Sequence, residues 1–396
     1  MTQYCLFDDL FRNELLPLTF TKPVSELRIG VLTIREKWEK YLSINILSWK
    51  TQAYLSFKFP FLGNGSMVYL SGHVCPTRSL VQQILALQAN QGIMYENRVV
   101  AIRTSDQEPT FEIENFTGIN WIHWEEKLTI LTNSWDLFSR NGEQIQADFE
   151  LLTKGRISDP IASSCFVQNS GNIFIEKGAK ITFASLNAST GPIYIGADTE
   201  IMEGVMIRGP FVLGEHSTVN MGAKIYGPVT IGPHSKVGGE LNTVNIQGLS
   251  NKGHDVFLGS SVIGEWCNLG ADTNTSNLKN SYVEVKLWNY TTSRFMKTGL
   301  QFCGLIMGDH SKCGINTMFN AGTVVGIGCN IHGTGYLRNF VPSFSEGGTH
   351  GFQVNRLQEV CKTAGKVMAR RNQILTETDQ NLLSEVFELT KKYRKY

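Results

Sequence analysis

The sequence lacks the features that would assign it to a membrane, a secretory route or a nucleic-acid complex. It contains no run of 18 apolar residues, so no transmembrane helix is predicted. Asp8 and Asp9 interrupt the amino-terminal segment before an apolar run develops, so no signal peptide is predicted. We therefore expect a cytoplasmic protein without a membrane partner. The 36 Lys and Arg residues are balanced by 35 Asp and Glu, and a net charge of +1 gives no reason to expect a nucleic acid.

The eight cysteines include no Cys-x-x-Cys pair and are too sparse for a disulfide scaffold. Cys313 falls at an apolar position of the repeat described below, so we predict that it is a small buried hydrophobe. The basic run at 391–395 is predicted to end a helix, where cations are favoured by the negative end of the helix dipole.

What the sequence does contain is a repeat of six residues. A period of two would indicate a half-buried strand, and a period of 3.6 would indicate a helix. The observed period of six matches neither. A period of six predicts a β-solenoid, in which each coil buries its aliphatic positions against the coils above and below. The repeated positions are Ile195, Ile201, Ile207, Leu213, Val219, Ile225, Ile231 and Val237, followed later by Met307, Cys313, Phe319, Val325 and Ile331.

This pattern resembles the left-handed parallel β-helix of the hexapeptide-repeat acyltransferases. The resemblance implies the left hand and three hexads per coil, and we place the solenoid domain at 170–345. A C-terminal helical segment is predicted at 352–396, because Leu357, Val360, Ala364 and Met368 recur at helical spacing. A second helix is predicted to start at Thr376, since an acidic residue three positions on forms a capping box.

Residues 1–155 have a different pattern of apolar residues from the six-residue repeat. Strand candidates at 4–7 and 67–70 are each followed by a loop and a helical pattern, which favours an α/β layer. The segment resembles a shortened sugar-1-phosphate nucleotidyltransferase domain, whose first strand precedes a glycine-rich loop with an arginine and then a lysine beside a proline. Here Arg12 and Lys22 follow the first strand, and the later motif Leu-x-Gly-Asp-x-Pro corresponds to 70–76, where His73 replaces the family's magnesium-holding aspartate.

Two interpretations of this segment remain open. In the first, the domain holds a nucleotide and Mg²⁺ with unorthodox ligands, although the first loop has no Gly-x-Gly to cradle phosphates. In the second, it keeps only the fold and acts as a binding or packing module. The candidate nucleotide-site residues are Asp8, Asp9, Arg12, Lys22, Arg28, Gly72 and His73.

The hexad register breaks after Val237, and local violation of a strict repeat usually marks a functional segment. Residues 250–277 resemble the acetyltransferase half of the bifunctional enzymes that acetylate glucosamine-1-phosphate and then uridylylate it. That family has Lys-x-Gly-His, an aromatic residue three positions later, and then Asn-Ile-Gly-Ala-Gly-Thr and a further asparagine. In this chain the matching stretches are Ser250-Asn251-Lys252-Gly253-His254, Phe257 and Asn268-Leu269-Gly270-Ala271-Asp272-Thr273, followed by Asn277.

The resemblance implies a role for each matched residue. His254 falls on the catalytic base, and a histidine suits this task because its pKa lies near working pH. Asn268 and Asn277 fall on positions that hold the sugar phosphate and the acetyl-CoA end, and Ala271 on a position beside the CoA arm. Phe257 replaces a tyrosine, which keeps the ring face but loses a hydroxyl contact, and Lys252 and Phe257 are both candidates to bind the substrate or acetyl-CoA. The family's upstream basic pair has no aligned match, and Lys224, Lys236, Lys252 or Arg208 remain open for that charge.

The excursion at 278–297 is predicted to be a functional loop or a small hairpin. The resembling family has a phosphate-binding lysine soon after the second asparagine, so Lys286 and Lys297 are candidates. Tyr282, Trp288, Tyr290 and Phe295 are predicted either to line a ligand or subunit contact or to form an aromatic mini-core.

The leading hypothesis is an enzyme that uses acetyl-CoA to acetylate the amine of an amino-sugar-1-phosphate. We expect this step to be coupled to nucleotidyl transfer in nucleotide-sugar synthesis for the cell envelope. The family implies a homotrimer with active sites between subunits. The alternatives are a nucleotidyltransferase whose solenoid serves trimerisation, and a catalytically silent scaffold that binds sugar nucleotides.

Overall fold

The computed structural model describes residues 2–63, 65–105 and 118–396, which form two compact units. The N-terminal unit comprises Met1–Leu15, Thr21–Leu27 and Leu32–Thr132. The solenoid unit comprises Leu16–Phe20, Arg28–Val31 and Asn133–Tyr396. Each is described separately below.

The N-terminal unit is built on a mixed sheet. Its strands follow the spatial order Trp49–Lys50, Gln3–Phe7, Met67–Ser71, Arg98–Arg103, Gln91–Tyr95 and Asn120–His123. Gln3–Phe7 and Met67–Ser71 run parallel with Phe7 opposite Ser71, so the loops that follow both strands leave the same edge. Alternate residues of these strands, such as Cys5 and Phe7, bury one face. The other elements are strands Val74–Cys75, Thr129–Ile130 and Leu32–Thr33, helices Ile34–Leu42 and Arg78–Leu85, and 3₁₀ turns Leu10–Leu15, Val24–Glu26 and Ala53–Leu55.

The solenoid unit stacks short parallel strands into three columns. The first column is Ile173–Ile175, Ile193–Ile195, Phe211–Leu213, Lys224–Ile231, Glu240–Gly248, Phe257–Glu265, Leu305–Met307, Thr323–Val325 and Phe340–Val341. The second is Lys180–Ile181, Glu200–Ile201, Thr218–Val219, Lys236–Val237, Asn251–Lys252, Asn268–Leu269, Lys312–Cys313, Asn330–Ile331 and Ser345–Gly348, closed by antiparallel Gly351–Val354. The third begins with Phe166–Gln168, Ser185–Asn187 and Met206–Arg208. It then merges with the first column, because the long strands of the first column span both columns. A later pair of strands, Asn274–Thr275 and Met318–Phe319, forms a separate two-stranded sheet.

The predicted repeat positions form the core of this stack. All thirteen are at most 4% exposed, including Cys313, which confirms it as a buried hydrophobe. Ile195 lies opposite Leu213, and Leu213 opposite Ile231, so one coil takes 18 residues, or three hexads. The described structure therefore confirms an α/β region followed by a parallel β-helix, and its left hand continues to rest on the resemblance.

The predicted register break is accommodated at the corners. Ile231 lies opposite Ile246, and Ile246 opposite Ile263, although these steps are shorter than 18 residues. The step from Ile263 to Met307 is longer and contains a hairpin of Lys286–Asn289 and Arg294–Lys297. The apolar column stays in register because the shorter and longer coils differ from the regular coil at their turns and not in their strands.

Helices precede and follow the β-helix. Asp136–Ser139 and Asn141–Thr153 come before it, and Leu357–Ala369 and Glu377–Leu389 come after it, the last followed by a 3₁₀ turn at Lys391–Tyr393. The capping box predicted at Thr376 is present, with Asp379 as its partner. Phe387 packs edge-on against Phe344, so the last helix contacts the final coil. None of the helices in the described ranges has the length and apolar character needed to cross a bilayer.

Candidate functional site

His254 is exposed on a corner loop whose backbone is held by contacts with earlier coils. The loop at 253–256 joins the strands Asn251–Lys252 and Phe257–Glu265. Gly239, at a φ of 73°, approaches it so closely that a Cβ there would lie 2.8 Å from the carbonyl oxygen of Val256. Val256 itself has a φ of 81°, a conformation that β-branched residues rarely adopt. The Asn220 side-chain amide donates to the Gly253 carbonyl at 2.6 Å, so the loop presents its imidazole from a fixed backbone.

Lys252 occupies a core position of the β-helix. It lies opposite Val237 in the second column, where the other coils place an aliphatic residue, Cys313 or, in the last coil, Gly347, and it is 3% exposed. Its ammonium group donates to the carbonyl oxygens of His254 at 2.5 Å and Asp255 at 3.1 Å. Burial lowers the pKa of Lys252 to about 8, against the opposite effect of the Asp255 carboxylate. The predicted substrate lysine is thus directed inward, where it braces the loop that contains His254.

Asn268 and Ala271 lie on the adjacent coil. Asn268 pairs in register with Asn251, so Ala271 occupies the corner that corresponds to His254. The Asn251 amide donates to Asn268 Oδ1 at 3.4 Å, and Asn251 Oδ1 accepts from Arg371 Nη2 at 2.9 Å. The structure therefore brings the two motif segments together along one edge of the β-helix.

Phe257 and Asn277 flank the same glycine. A Cβ built on Gly259 would lie 2.3 Å from the Phe257 ring and 2.8 Å from Asn277 Nδ2. The Asn277 amide donates to Ser260 Oγ at 3.2 Å. The glycine allows the ring and the amide to meet, and the larger residue types at 259 would displace them.

The two candidate lysines of the hairpin have different environments. Lys286 lines a cavity of about 840 Å³, whereas Lys297 pairs with Glu284 at 3.5 Å and is 73% exposed. Amide and hydroxyl groups and a second lysine also line the cavity, a composition that suits a phosphorylated sugar. These lining residues include Ser276, Lys279, Ser281, Asn320 and Asn339.

In the N-terminal unit, Asp9 and His73 form a buried ion pair at the shared strand edge. His73 Nδ1 donates to the Leu131 carbonyl at 2.8 Å, so its Nε2, 3.1 Å from Asp9 Oδ1, requires a second proton to donate there. Burial opposes that charge, yet Asp9 raises the pKa of His73 above its usual value. Burial likewise opposes the Asp9 charge, but His73 holds the Asp9 pKa below its usual value. Arg98 lies 3.8 Å from the other carboxylate oxygen.

Asp8 forms a second buried pair beside the first. Its Oδ2 lies 3.3 Å from Arg12 Nε and accepts from the Thr51 hydroxyl at 2.6 Å. Its Oδ1 accepts from the Val24 backbone N–H at 2.9 Å, and Arg12 also donates to the Tyr54 hydroxyl at 2.8 Å. Burial raises the pKa of Asp8, although Arg12 acts against it.

This cluster does not fit a magnesium ion. Each of its carboxylates already faces a cation, and these positive charges oppose the binding of a further cation such as Mg²⁺. In the part of the chain that the structure describes, no three His, Cys, Asp or Glu side chains are arranged to hold a metal. The proposal below therefore includes no step through Mg²⁺.

The remaining predicted nucleotide-site residues lie in different units: Lys22 and Gly72 in the N-terminal unit, and Arg28 in the solenoid unit. Lys22 is buried in the N-terminal unit. The Gly72 N–H donates to the Phe7 carbonyl at 2.8 Å, and a Cβ would lie 3.2 Å from the backbone nitrogen of Ser25. Arg28 belongs to the solenoid unit, where its backbone N–H donates to Gln247 Oε1 at 2.7 Å.

Sequence reasoning missed several partners at both clusters. Thr51 and Arg98 contact the N-terminal aspartates, and Tyr54 contacts Arg12, but all three lie far along the chain from residues 8–12, with no local motif. Arg371 lies more than 100 residues beyond Asn251 and outside any repeat. A useful signal was present only for Lys252, since a lysine at an aliphatic position of a repeat requires buried acceptors.

The fold and the two clusters define a class: an α/β unit of the nucleotidyltransferase type joined to a hexapeptide β-helix with a histidine-bearing corner. Residues 4–157 match the family model described as sugar nucleotidyl transferase. This match concerns the N-terminal segment and leaves the β-helix outside it.

Among individual proteins, the chain is similar to the bifunctional protein GlmU of Methanocaldococcus jannaschii. The two are 40% identical over 76 residues, which are 19% of this chain and 18% of that protein. The chain therefore spans about a fifth of the length of the curated relative it matches. The solved structure of Arabidopsis UDP-N-acetylglucosamine acyltransferase aligns with 59% of this chain and 91% of its own, at 13% identity and a TM-score of 0.28.

Proposed function

We propose that the β-helix transfers an acetyl group from acetyl-CoA to the amine of an amino-sugar-1-phosphate resembling glucosamine-1-phosphate. The observation that supports this most is the exposed His254 on a braced corner loop, with Asn268 and Ala271 at the same edge one coil away. The similarity to GlmU is consistent with a place in nucleotide-sugar biosynthesis.

In this mechanism His254 acts as the general base. Its imidazole accepts a proton from the substrate ammonium or from the amine as it attacks the thioester carbonyl. A C–N bond forms, the C–S bond breaks, and the coenzyme leaves as a thiolate that takes up a proton. Lys252 holds the loop during this step through its hydrogen bonds to the carbonyl oxygens of His254 and Asp255.

The assembly is proposed to be a homotrimer with active sites between subunits. Phe183, Met221 and Ile315 are each about two-thirds exposed. Each follows a core residue of the second column by two positions, as His254 follows Lys252, so they place exposed apolar side chains at intervals along the same corner. A second copy of this chain would bury these apolar side chains and enclose His254.

A second candidate function is nucleotidyl transfer by the N-terminal unit, with the β-helix serving assembly. It is favoured by the match of residues 4–157 to the sugar nucleotidyl transferase model. Exchange of labelled pyrophosphate into UTP or dTTP would support it. Tight binding of a nucleotide sugar with no turnover at either unit would instead favour a silent scaffold.

The deciding experiment measures thiol release from acetyl-CoA in the presence of glucosamine-1-phosphate. We expect His254→Ala to reduce kcat by about 100-fold or more, because a positioned general base contributes roughly 10²–10⁴-fold. The matched control is His332→Ala, which removes an exposed histidine from a later coil. No wild-type turnover, or equal rates for the His254 variant and wild type, would refute the assignment for this acceptor.

A further inference from the structure

A second cavity lies at the end of the β-helix, outside the corner that contains His254. It encloses about 530 Å³, a volume typical of small-molecule sites. The hairpin, the last coils and the C-terminal basic run all contribute to its walls. The basic run was expected only to end a helix, and the structure places two of its lysines at this cavity.

The aromatic walls of the cavity are fixed by packing. Trp288 stacks on Phe340 with ring centres 4.2 Å apart and planes 13° apart. Tyr393 donates its hydroxyl proton to the carbonyl of the buried Tyr290 at 3.0 Å, which fixes that ring. Phe352 also lines the space. The indole N–H of Trp288 has no hydrogen-bond acceptor among the described residues.

The rim of the same cavity is cationic. Arg338, Lys392 and Lys395 line it, and no acidic side chain is among its lining residues. Across the described part of the chain, none of these three cations forms an ion pair, whereas the neighbouring Lys391 pairs with Glu388 at 3.8 Å. Three uncompensated cations on one rim are a local excess in a chain with a net charge of +1.

The two features together select a ligand class. Ring faces bind a flat aromatic group by stacking, and clustered Arg and Lys side chains bind phosphate oxygens. Inorganic phosphate would leave the rings unused, and a neutral aromatic molecule would leave the cations unused. We propose that this cavity binds a nucleoside diphosphate group, with the base against Trp288 and Phe352 and the phosphates at Arg338, Lys392 and Lys395.

This inference concerns a cavity apart from the His254 corner, so it does not depend on the proposed acetyl transfer. A nucleoside diphosphate group occurs both in free nucleotides and nucleotide sugars and in coenzyme A, where a 3′-phosphate is added. Calorimetric titration of the full chain with UDP, with ADP and with 3′-phospho-ADP distinguishes these sources. A preference for UDP indicates the former source, and a preference for 3′-phospho-ADP the latter.

The variant that tests the site is the double charge reversal Lys392→Glu with Lys395→Glu, since both side chains are exposed and their replacement leaves the fold intact. We expect the preferred nucleotide to bind at least about 30-fold more weakly, while Lys391→Glu changes its affinity less than about threefold. Trp288→Phe keeps an aromatic ring, removes the indole N–H, and is expected to weaken binding by about threefold to tenfold.

Two results would overturn the proposal. One is an unchanged nucleotide affinity in the double variant, which would place any binding elsewhere in the chain, including the N-terminal unit. The other is inorganic diphosphate binding as tightly as the nucleotides, because the rings would then contribute nothing. Thermal melting of each variant verifies that the β-helix remains folded.

Discussion

Replacing Lys252 with methionine separates the stability of the β-helix from the position of its His254 loop. Methionine keeps the length of the side chain and returns the core column between Val237 and Leu269 to an apolar composition. It also removes both hydrogen bonds to the carbonyl oxygens of His254 and Asp255.

The magnitude follows from these contacts. Hydrogen bonds to a charged group contribute about 1.5–3 kcal/mol each. If the loss of loop anchorage costs the transition state that amount once, kcat falls by about 10- to 150-fold. The melting temperature is expected to stay the same or rise, since burying an apolar side chain replaces burying an ammonium group.

The pH dependence gives an independent check. In the folded protein the pKa of Lys252 is lowered to about 8 from an ordinary 10.5, so between these values the unfolded chain binds the additional proton. Wild-type stability should therefore rise as pH increases from about 8 to about 10.5, by at most about 3 kcal/mol. Lys252→Met should lose this contribution.

The assay combines thiol release, thermal melting across that pH range, and amide hydrogen exchange at 253–256. The hydrogen exchange should accelerate in the variant whether or not the acceptor sugar is correct. Lys312→Met is the matched control, because Lys312 also donates to main-chain carbonyls, those of His310 and Trp266, at the corner that precedes the second column rather than the corner of the His254 loop. If the hydrogen-exchange rates at 253–256 and the kcat of Lys252→Met equalled those of wild type, the bracing role would be refuted. A parallel fall of kcat and melting temperature would show that the effect is global.

Two further predictions concern other contacts. His73→Asn should lower the melting temperature below pH 6.5, and the difference from wild type should shrink as the pH rises above 6.5 through the raised pKa of His73; a pH-independent difference would contradict the ion pair with Asp9. Gly239→Ala should destabilise the β-helix by at least about 1 kcal/mol more than Gly222→Ala, as measured by urea unfolding, because both glycines have positive φ but only the Cβ at 239 meets the backbone of Val256. Equal losses in the two variants would show that this close contact is unimportant.

The β-helix could be predicted from the sequence because its determinant is local and repeated. Every coil buries the same positions, so a period of six is visible without any knowledge of long-range contacts, and a break in it does not erase the flanking register. The capping box at Thr376 was predictable for the same reason, since its two partners are three residues apart.

The site was predictable only in part. His254, Asn268 and Asn277 were predicted from the resemblance to the acetyltransferase motif; the structure places Asn268 one coil from the His254 loop, and their roles stay predictions. The role of Lys252 was assigned to substrate, and the structure instead shows its ammonium bound to backbone carbonyls.

By itself the sequence determined the β-helix, because the core of the β-helix depends on contacts within a repeat or between consecutive coils, and the different pattern of residues 1–155 indicated a separate α/β region. Only the tertiary structure decided which charges neutralise one another. Asp9 meets His73 because two parallel strands end at one edge, and the C-terminal lysines meet Trp288 because the chain returns to the end of the β-helix. Pairing across such distances depends on where the backbone returns, which no local pattern in the chain specifies.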